Sequence, residues 1–289
     1  MLKNGIWCKT VNSSVGTISL TSEGTACSSY ALRRLEEGRA GYVRSIFQTS
    51  LNIEAEGFLF HIGEETAGLS CNGCTLTRAG IRTLLATASI DDLVLFRSGL
   101  LRIFTRGGVI HLDLSKLKQC SLKLPSGKAA DQLGNLPLLT LPSHEKLARS
   151  LTKLATPLVE RDHRSLQLDM LGLGEGLTPS GDDMLVGYTA VLQIANASLL
   201  PLWLKALRSL PLEKTTSVAA SYIEAVCEGQ VSEALFDSLT AEGEKMQQEA
   251  FQKLLQLGHT SGNDTLLGMQ AALIYLKITN HTKHIGGAL

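Results

Sequence analysis

The sequence has no surplus of either charge. Its 27 Lys and Arg balance 27 Asp and Glu over 289 residues, and no block of like charge breaks the balance. That excludes a surface devoted to nucleic acid, because phosphate backbones are met by basic patches. Aromatic residues are scarce at 5%, which leaves little with which to stack bases. The opening stretch Met1 to Cys8 has no apolar run of signal-peptide length. A reducing cytoplasm is therefore expected, with Cys8, Cys27, Cys71, Cys74, Cys120 and Cys227 as free thiols. One uncharged stretch, Met184 to Leu204, approaches membrane-spanning length. Gly187, Gln193, Asn196, Ser198 and Pro201 interrupt it, so a buried helix, a break near Pro201 and a second helix are expected rather than a membrane span.

Several familiar chemistries are missing as well. Cys71-Asn72-Gly73-Cys74 has the spacing of half a zinc site, but no second such pair and no paired histidines accompany it. Asn-Gly between the cysteines reads as a tight hairpin turn. No lysine follows the glycines at P-loop spacing. The Gly174-x-Gly176 turn follows no strand of a βαβ unit, which excludes a Rossmann reading, and no Gly-x-Ser-x-Gly elbow occurs.

What is present divides in two. The first half alternates apolar and polar residues as strands do: Tyr42 to Phe47, Leu51-Ile53-Ala55, Phe58-Phe60-Ile62 after a Glu56-Gly57 turn, Leu93 to Phe96, Leu101 to Phe104, and Val109 to Leu112 after Arg106-Gly107-Gly108. Helices are expected at Ser28 to Glu37, ended by Gly38, and at Arg78 to Thr87. Pro125, Gly127, Gly134, Pro137 and Pro142 mark a linker. Beyond it the period is helical. Ser143 is placed to cap a helix bearing Leu147, Leu151, Leu154 and Leu158. Further helices are expected at Asp183 to Ala197 (apolar all round and so buried on every side), Ser217 to Glu228, Ser232 to Leu239, Ala241 to Leu257 and Asp264 to Lys277. The expected fold is α+β: a β-rich barrel or sandwich-like domain with short helices over residues 1–121, a linker over 122–142, and an all-α helical domain over 143–289.

The most informative feature is a repeat within the second half. Leu173-Gly-Glu-Gly-Leu-Thr-Pro-Ser-Gly-Asp-Asp-Met-Leu-Val-Gly187 returns, altered, as Leu257-Gly-His-Thr-Ser-Gly-Asn-Asp-Thr-Leu-Leu-Gly268. Ser180, Gly181, Asp183, Leu185 and Gly187 coincide with Ser261, Gly262, Asp264, Leu266 and Gly268. Each copy is a glycine-rich turn feeding an apolar run, an arrangement that gathers free backbone N–H groups, hydroxyls and a carboxylate. The two turns are expected to lie close together.

Two readings of the turns stand side by side. Ser180-x-x-Asp183 and Ser261-x-x-Asp264 have capping-box form, with serine at the N-cap and the acid at N3, worth about 1 kcal/mol each. Capping, however, requires neither Gly172, Gly174 and Gly176 nor the polar groups of Thr178, His259 and Thr260, and glycines at every second position mark close approach by a ligand or backbone. An anion docked here would face Asp182, Asp183 and Asp264 unless they are turned into capping or hold a cation or an amide. Lys214-Thr215-Thr216-Ser217 again sets hydroxyls at a helix start, either as caps or as donors. His259, after a helix-ending Gly258, is either structural or a proton donor and acceptor.

Gly174-Glu175-Gly176-Leu177-Thr178-Pro179-Ser180-Gly181-Asp182-Asp183 resembles the Gly-Pro-Gly-Leu-Thr-Pro-Ser-x-Asp-Asp signature of the AllH-type family. Thr215-Thr216 before a small-residue helix and Leu257-Gly258-His259-Thr260-Ser261-Gly262-x-Asp264-x-Leu266-x-Gly268 resemble the family too. Val43 to Ile53 does so more loosely. Glu175 replaces the usual Pro and Asn263 a common Ala. The resemblance implies one of three different subunits of a cytoplasmic oxamate carbamoyltransferase, interconverting oxalurate plus phosphate with oxamate plus carbamoyl phosphate in purine-ureide (allantoin) catabolism. FdrA-like and AllG-like subunits are the implied partners in a hetero-oligomer. The ligand site is placed at turns 172–183 and 258–264. Asp183, Asp264 and His259 are the catalytic candidates, and Gly174, Gly176, Thr178, Ser180, Asp182, Thr215, Thr216, Thr260 and Ser261 the substrate-binding ones. No cofactor and no resident metal are expected, a divalent cation at the aspartates being the alternative. A non-catalytic assembly subunit, or a paralogue acting on another carbamoyl- or carboxyl-transfer substrate, are the competing roles.

Overall fold

The protein was analysed as a computed structural model that describes residues 16–35, 39–128, 133, 136–157 and 160–286. The first half is one continuous sheet of ten strands: β1 (Thr17–Ser19), β2 (Gly24–Ser28), β3 (Ala40–Ile46), β4 (Ser50–Ala55), β5 (Phe58–Glu64), β6 (Gly73–Leu76), β7 (Leu93–Arg97), β8 (Leu100–Thr105), β9 (Gly108–Asp113) and β10 (Lys118–Cys120). They run in the order β1-β9-β8-β7-β3-β4-β5-β6-β2-β10. The sheet curls into a half-barrel, so of the two expected forms the barrel is the nearer and the sandwich is not formed. Glu56-Gly57 and Ser98-Gly99 have positive φ (48° and 79°; 52° and 76°), the conformation demanded by two-residue hairpin turns between β4 and β5 and between β7 and β8.

The strand alternation read from the sequence sorts the faces correctly. Leu51, Ile53, Phe58, Phe60 and Ile62 are buried in the sheet's own core. The opposite phase carries a cross-strand row in which Ser45 pairs with Asn52 and Asn52 with His61. Farther along the sheet, Tyr42 pairs with Leu93 and Leu93 with Phe104, all exposed. The turn lies one residue earlier than expected, with Cys71 and Asn72 at its centre and the Gly73 N–H on the Ser70 carbonyl, and it makes no hairpin. It feeds β6, which runs parallel to β5. Cys71 and Cys74 are buried free thiols, and burial pushes the Cys71 thiol up to about 12.

Ten helices are seen among the described residues: α1 (Ser29–Arg34), α2 (Arg78–Thr87), α3 (Glu145–Leu154), α4 (Glu160–Met170), α5 (Ser180–Ile194), α6 (Leu200–Leu207), α7 (Ser217–Cys227), α8 (Glu233–Thr240), α9 (Glu244–Leu255) and α10 (Ser261–Gly286). Ser28 caps α1, accepting from the Tyr30 and Ala31 N–H groups; Gly38, expected to end it, lies outside the described residues, as does Leu158. The cap of α3 is His144 rather than Ser143. Helix α4 was not expected, because its sequence is mostly polar, and α10 runs well past Lys277. Among the described residues no helix is long and apolar enough to cross a membrane. Within the stretch expected as a linker, Leu122, Leu124 and Leu133 are buried.

Helix α5 is buried along its whole length apart from Ser180 and Gln193. Its closest partner is α10. A Cβ on Gly187 would sit 2.0 Å from the Thr265 carbonyl oxygen, and one on Gly268 would sit 2.0 Å from that of Met184. Taken with the proximity of Ser180 to Asp264 and of Ser261 to Asp183 at the helix starts, these contacts belong to two helices running in the same direction with their starts together. Glycine is needed at both positions for the backbones to approach so closely. Gly187→Ala and Gly268→Ala are therefore expected to lower the unfolding free energy by roughly 1–3 kcal/mol, even though alanine favours a helix by about 1 kcal/mol over glycine. Denaturant unfolding measures the difference, and a neutral or stabilised variant would contradict the close packing.

Candidate functional site

The turn before α5 is built from strained backbone held by side chains. Gly172, Gly174 and Gly176 have φ of 69°, 129° and 86°, which residues with a Cβ rarely adopt. At Gly172 a Cβ would also meet the Lys214 carbonyl oxygen at 2.5 Å. Asp182 clamps this turn: it accepts the Gly172 N–H at 3.0 Å and the Thr215 hydroxyl. Thr216 donates to the Leu177 carbonyl and accepts the Ala219 N–H at 3.0 Å, capping α7. Burial raises the Asp182 carboxyl pKa, opposed by the Thr215 and Gly172 hydrogen bonds.

The capping-box geometry expected for the repeat is not formed at α5. Pro179 occupies the N-cap and makes no side-chain cap; its carbonyl receives the Asp182 and Asp183 N–H groups at 2.9 and 3.2 Å. Proline in extended conformation starts the helix one residue early, so Ser180 lies inside the first turn. Each repeat aspartate is held instead by the other repeat. The Ser261 and Thr178 hydroxyls lie at Asp183 and lower its pKa, and Ser180, Thr260 and Asn263 do the same at Asp264. Asn263 also pairs with the Thr140 backbone through both atoms of its amide, at 2.8 and 2.9 Å.

Both aspartates are nearly inaccessible, at 8% and 4% exposure, and in each the Oδ2 atom has no hydrogen-bond partner. Burial raises the Asp183 pKa well above the ordinary carboxylate value. The Ser261 and Thr178 hydrogen bonds oppose that rise, while the neighbouring Asp264 and Asp182 charges add to it. Burial likewise raises that of Asp264, against its hydroxyl and amide donors. An unpartnered buried carboxylate oxygen is costly. It becomes tolerable when the group holds its proton or when a ligand supplies the missing partner.

Asp183 faces a cavity of about 510 Å³ between the sheet and the helical region, a volume suited to a small molecule. Of the residues singled out from the sequence, Gly176, Thr178, Asp183, His259, Thr260 and Ser261 line it, with His259 exposed at its rim. Gly174, Ser180, Asp182, Thr215, Thr216 and Asp264 do not. They hold the turns from behind: a Cβ on Gly174 would lie 2.5 Å from the Ser180 backbone nitrogen. The sequence reading did not single out the far wall. There His61 Nδ1 meets Asn52 Oδ1 at 2.8 Å, and Ser70 Oγ meets the Tyr222 hydroxyl at 3.0 Å. All four residues line the cavity. Burial lowers the His61 pKa to about 4 and, with smaller contributions from Cys71 and Asp183, raises the Tyr222 pKa to about 12. The only signal for His61 and Asn52 in the sequence was their place on the polar phase of two strands, which ordinarily faces water.

The raised carboxyl pKa values have a sign that can be checked. Below about pH 3.9 the aspartates are protonated in the folded and unfolded chain alike. As pH rises past that value the unfolded chain releases its protons while the folded chain keeps them. Stability is therefore lost progressively until the raised folded pKa is passed. Asp183→Asn removes this loss. Its melting temperature relative to wild type is expected to climb as pH increases from about 4 to about 8 and to equal or exceed wild type at neutrality. A cap would instead cost about 1 kcal/mol on removal, so a variant uniformly less stable across that range would restore the capping role.

Residues 170–273 match a family model described as oxamate carbamoyltransferase subunit AllH. The match spans both turns, α5 to α9 and the first half of α10, and stops short of the sheet. The resemblance carried by the turns holds over that stretch. No curated protein and no solved structure matches the chain.

Proposed function

We propose that the chain is one subunit of a cytoplasmic carbamoyltransferase complex in purine-ureide (allantoin) catabolism, and that its ligand site is the cavity where the two helix starts meet. The reaction is oxalurate plus phosphate to oxamate plus carbamoyl phosphate. A phosphate oxygen bonds to the ureido carbonyl carbon, the bond from that carbon to the oxamate nitrogen breaks, and the proton leaving hydrogen phosphate ends on that nitrogen. The family match supports the activity and, because its description is of a subunit, the need for partners. FdrA-like and AllG-like chains are the partners proposed. The exposed strip of Tyr42, Leu93 and Phe104 is consistent with a chain that is covered by protein when assembled.

One observation carries the placement of the site. Asp183 is buried beside a serine from the other repeat, has an unpartnered oxygen, and lines a cavity sized for a metabolite. A packing device alone has no use for that oxygen. A second reading, an assembly subunit without a ligand, is favoured by the Asp182–Thr215 and Thr216–Leu177 bonds, which tie the turns into the fold.

The two readings part in the assembled complex. The purified chain alone is expected to show little phosphorolysis of oxalurate, and reconstitution with both partners to restore it. In that complex Asp183→Asn and Asp264→Asn are each expected to reduce turnover tenfold or more, about 1.4 kcal/mol in activation free energy. The double variant should fall short of the product of the two losses, because both residues serve one site. Unchanged turnover in all three variants would return the chain to an assembly role, and robust activity of the single chain would remove the need for partners.

A further inference from the structure

The cavity wall contributed by the sheet lies outside the matched stretch, and no role follows for it from the turns. Its chemistry is nonetheless definite. Asn52 is buried at 3% exposure, and its Nδ2 donates to Ser45 Oγ at 3.1 Å. Asn52 Oδ1 faces His61 Nδ1 at 2.8 Å, so in the neutral ring Nδ1 carries the proton and Nε2 is the acceptor. The ring lies over Gly63: a Cβ there would meet Nε2 at 2.7 Å. The absent side chain leaves the imidazole its place at the cavity.

Opposite stands Asp183, nine-tenths buried, with Oδ2 lacking a hydrogen-bond partner. The Thr178 and Ser261 hydroxyls beside it act on the Asp183 carboxyl, lowering its pKa. Among the described residues lining the cavity there is no lysine or arginine. The positive ends of α5 and α10 are already faced by Asp182, Asp183 and Asp264. A phosphate dianion brings negative charge to a wall that has a carboxyl and, among the described residues, no lysine or arginine to balance it. A ureido group brings N–H donors and no charge.

We infer that His61 is a ligand-contacting residue, and that this cavity takes the uncharged ureido or primary-amide end of a substrate, its N–H groups donating to His61 Nε2 and the Asp183 carboxyl, rather than phosphate. The inference deepens the function proposed above and rests on it for the location of the site. It places the phosphate partner of the reaction outside this pocket. Neutral imidazole is the form required, and the depressed pKa of His61 keeps it neutral at physiological pH.

The test uses the full chain, labelled with nitrogen-15 at histidine, with N-methylurea and inorganic phosphate as separate probes. N-methylurea is expected to move the His61 Nε2 resonance, and phosphate to leave it in place. His61→Leu is expected to weaken N-methylurea binding tenfold or more, about 1.4 kcal/mol. The wild-type resonance decides the matter even where that variant folds poorly. A His61 signal moved by phosphate and not by N-methylurea, moved by neither probe, or a well-folded His61→Leu that binds N-methylurea as wild type does, would overturn the inference. Should N-methylurea move His61 while the reconstituted complex fails to turn over oxalurate, only the carbamoyltransferase reading falls. Should the complex turn over oxalurate while His61 ignores N-methylurea, only this inference falls.

Discussion

Ser180 lies at Asp264 and Ser261 at Asp183, each hydroxyl lowering the pKa of the carboxyl beside it, and the helical region is arranged around that crossed pair. The exchange is only within reach if α5 and α10 begin side by side. They can do so because Gly187 and Gly268 let each backbone rest against the carbonyls of the other helix. Close packing then seals the carboxyls from water, and burial raises their pKa values. The same residues thus settle the geometry of the core and leave an unusual functional group at its edge. A repeated sequence has become a local two-fold arrangement, in which each turn completes the other.

The turns need support of their own, because three glycines at positive φ cost chain entropy when fixed. Asp182 and the Thr215-Thr216 pair supply it by bridging the turn to the start of α7. Two neighbouring aspartates therefore divide the work. Asp182 satisfies backbone and hydroxyl donors within the fold, whereas Asp183 lines the cavity and has one oxygen without a partner. Loss of Asp182 should be felt first in the shape of the turn, and loss of Asp183 first in what binds there.

How much was legible depended on the kind of signal. The repeat told of two like helix starts that meet, because five coincident positions and a shared apolar run admit few other arrangements. Alternation in β4, β5, β7, β8 and β9 was strong enough to show the strands and their inner faces. Strands β1 and β10 are three residues long, and β2 and β6 are short and rich in small or polar residues, so they carry no period to read. The capping box misled because Pro179 moves the helix start ahead of Ser180, a shift that spacing alone does not reveal. His61 and Asn52 stayed hidden because a polar strand face looks the same whether it meets water or another part of the chain. Only the folded chain shows that part of this face closes a cavity while Tyr42, Leu93 and Phe104 remain exposed.

The account rests on Asp183 being a buried carboxyl that the opposite repeat holds and a ligand completes. Carboxyl carbon-13 titration of Asp183 in the full chain, with and without oxalurate, tests this most directly. The expected result is titration well above the ordinary carboxylate range of about 3.9, displaced when oxalurate is added. An Asp183 that titrates within the ordinary range and is indifferent to oxalurate would contradict the account.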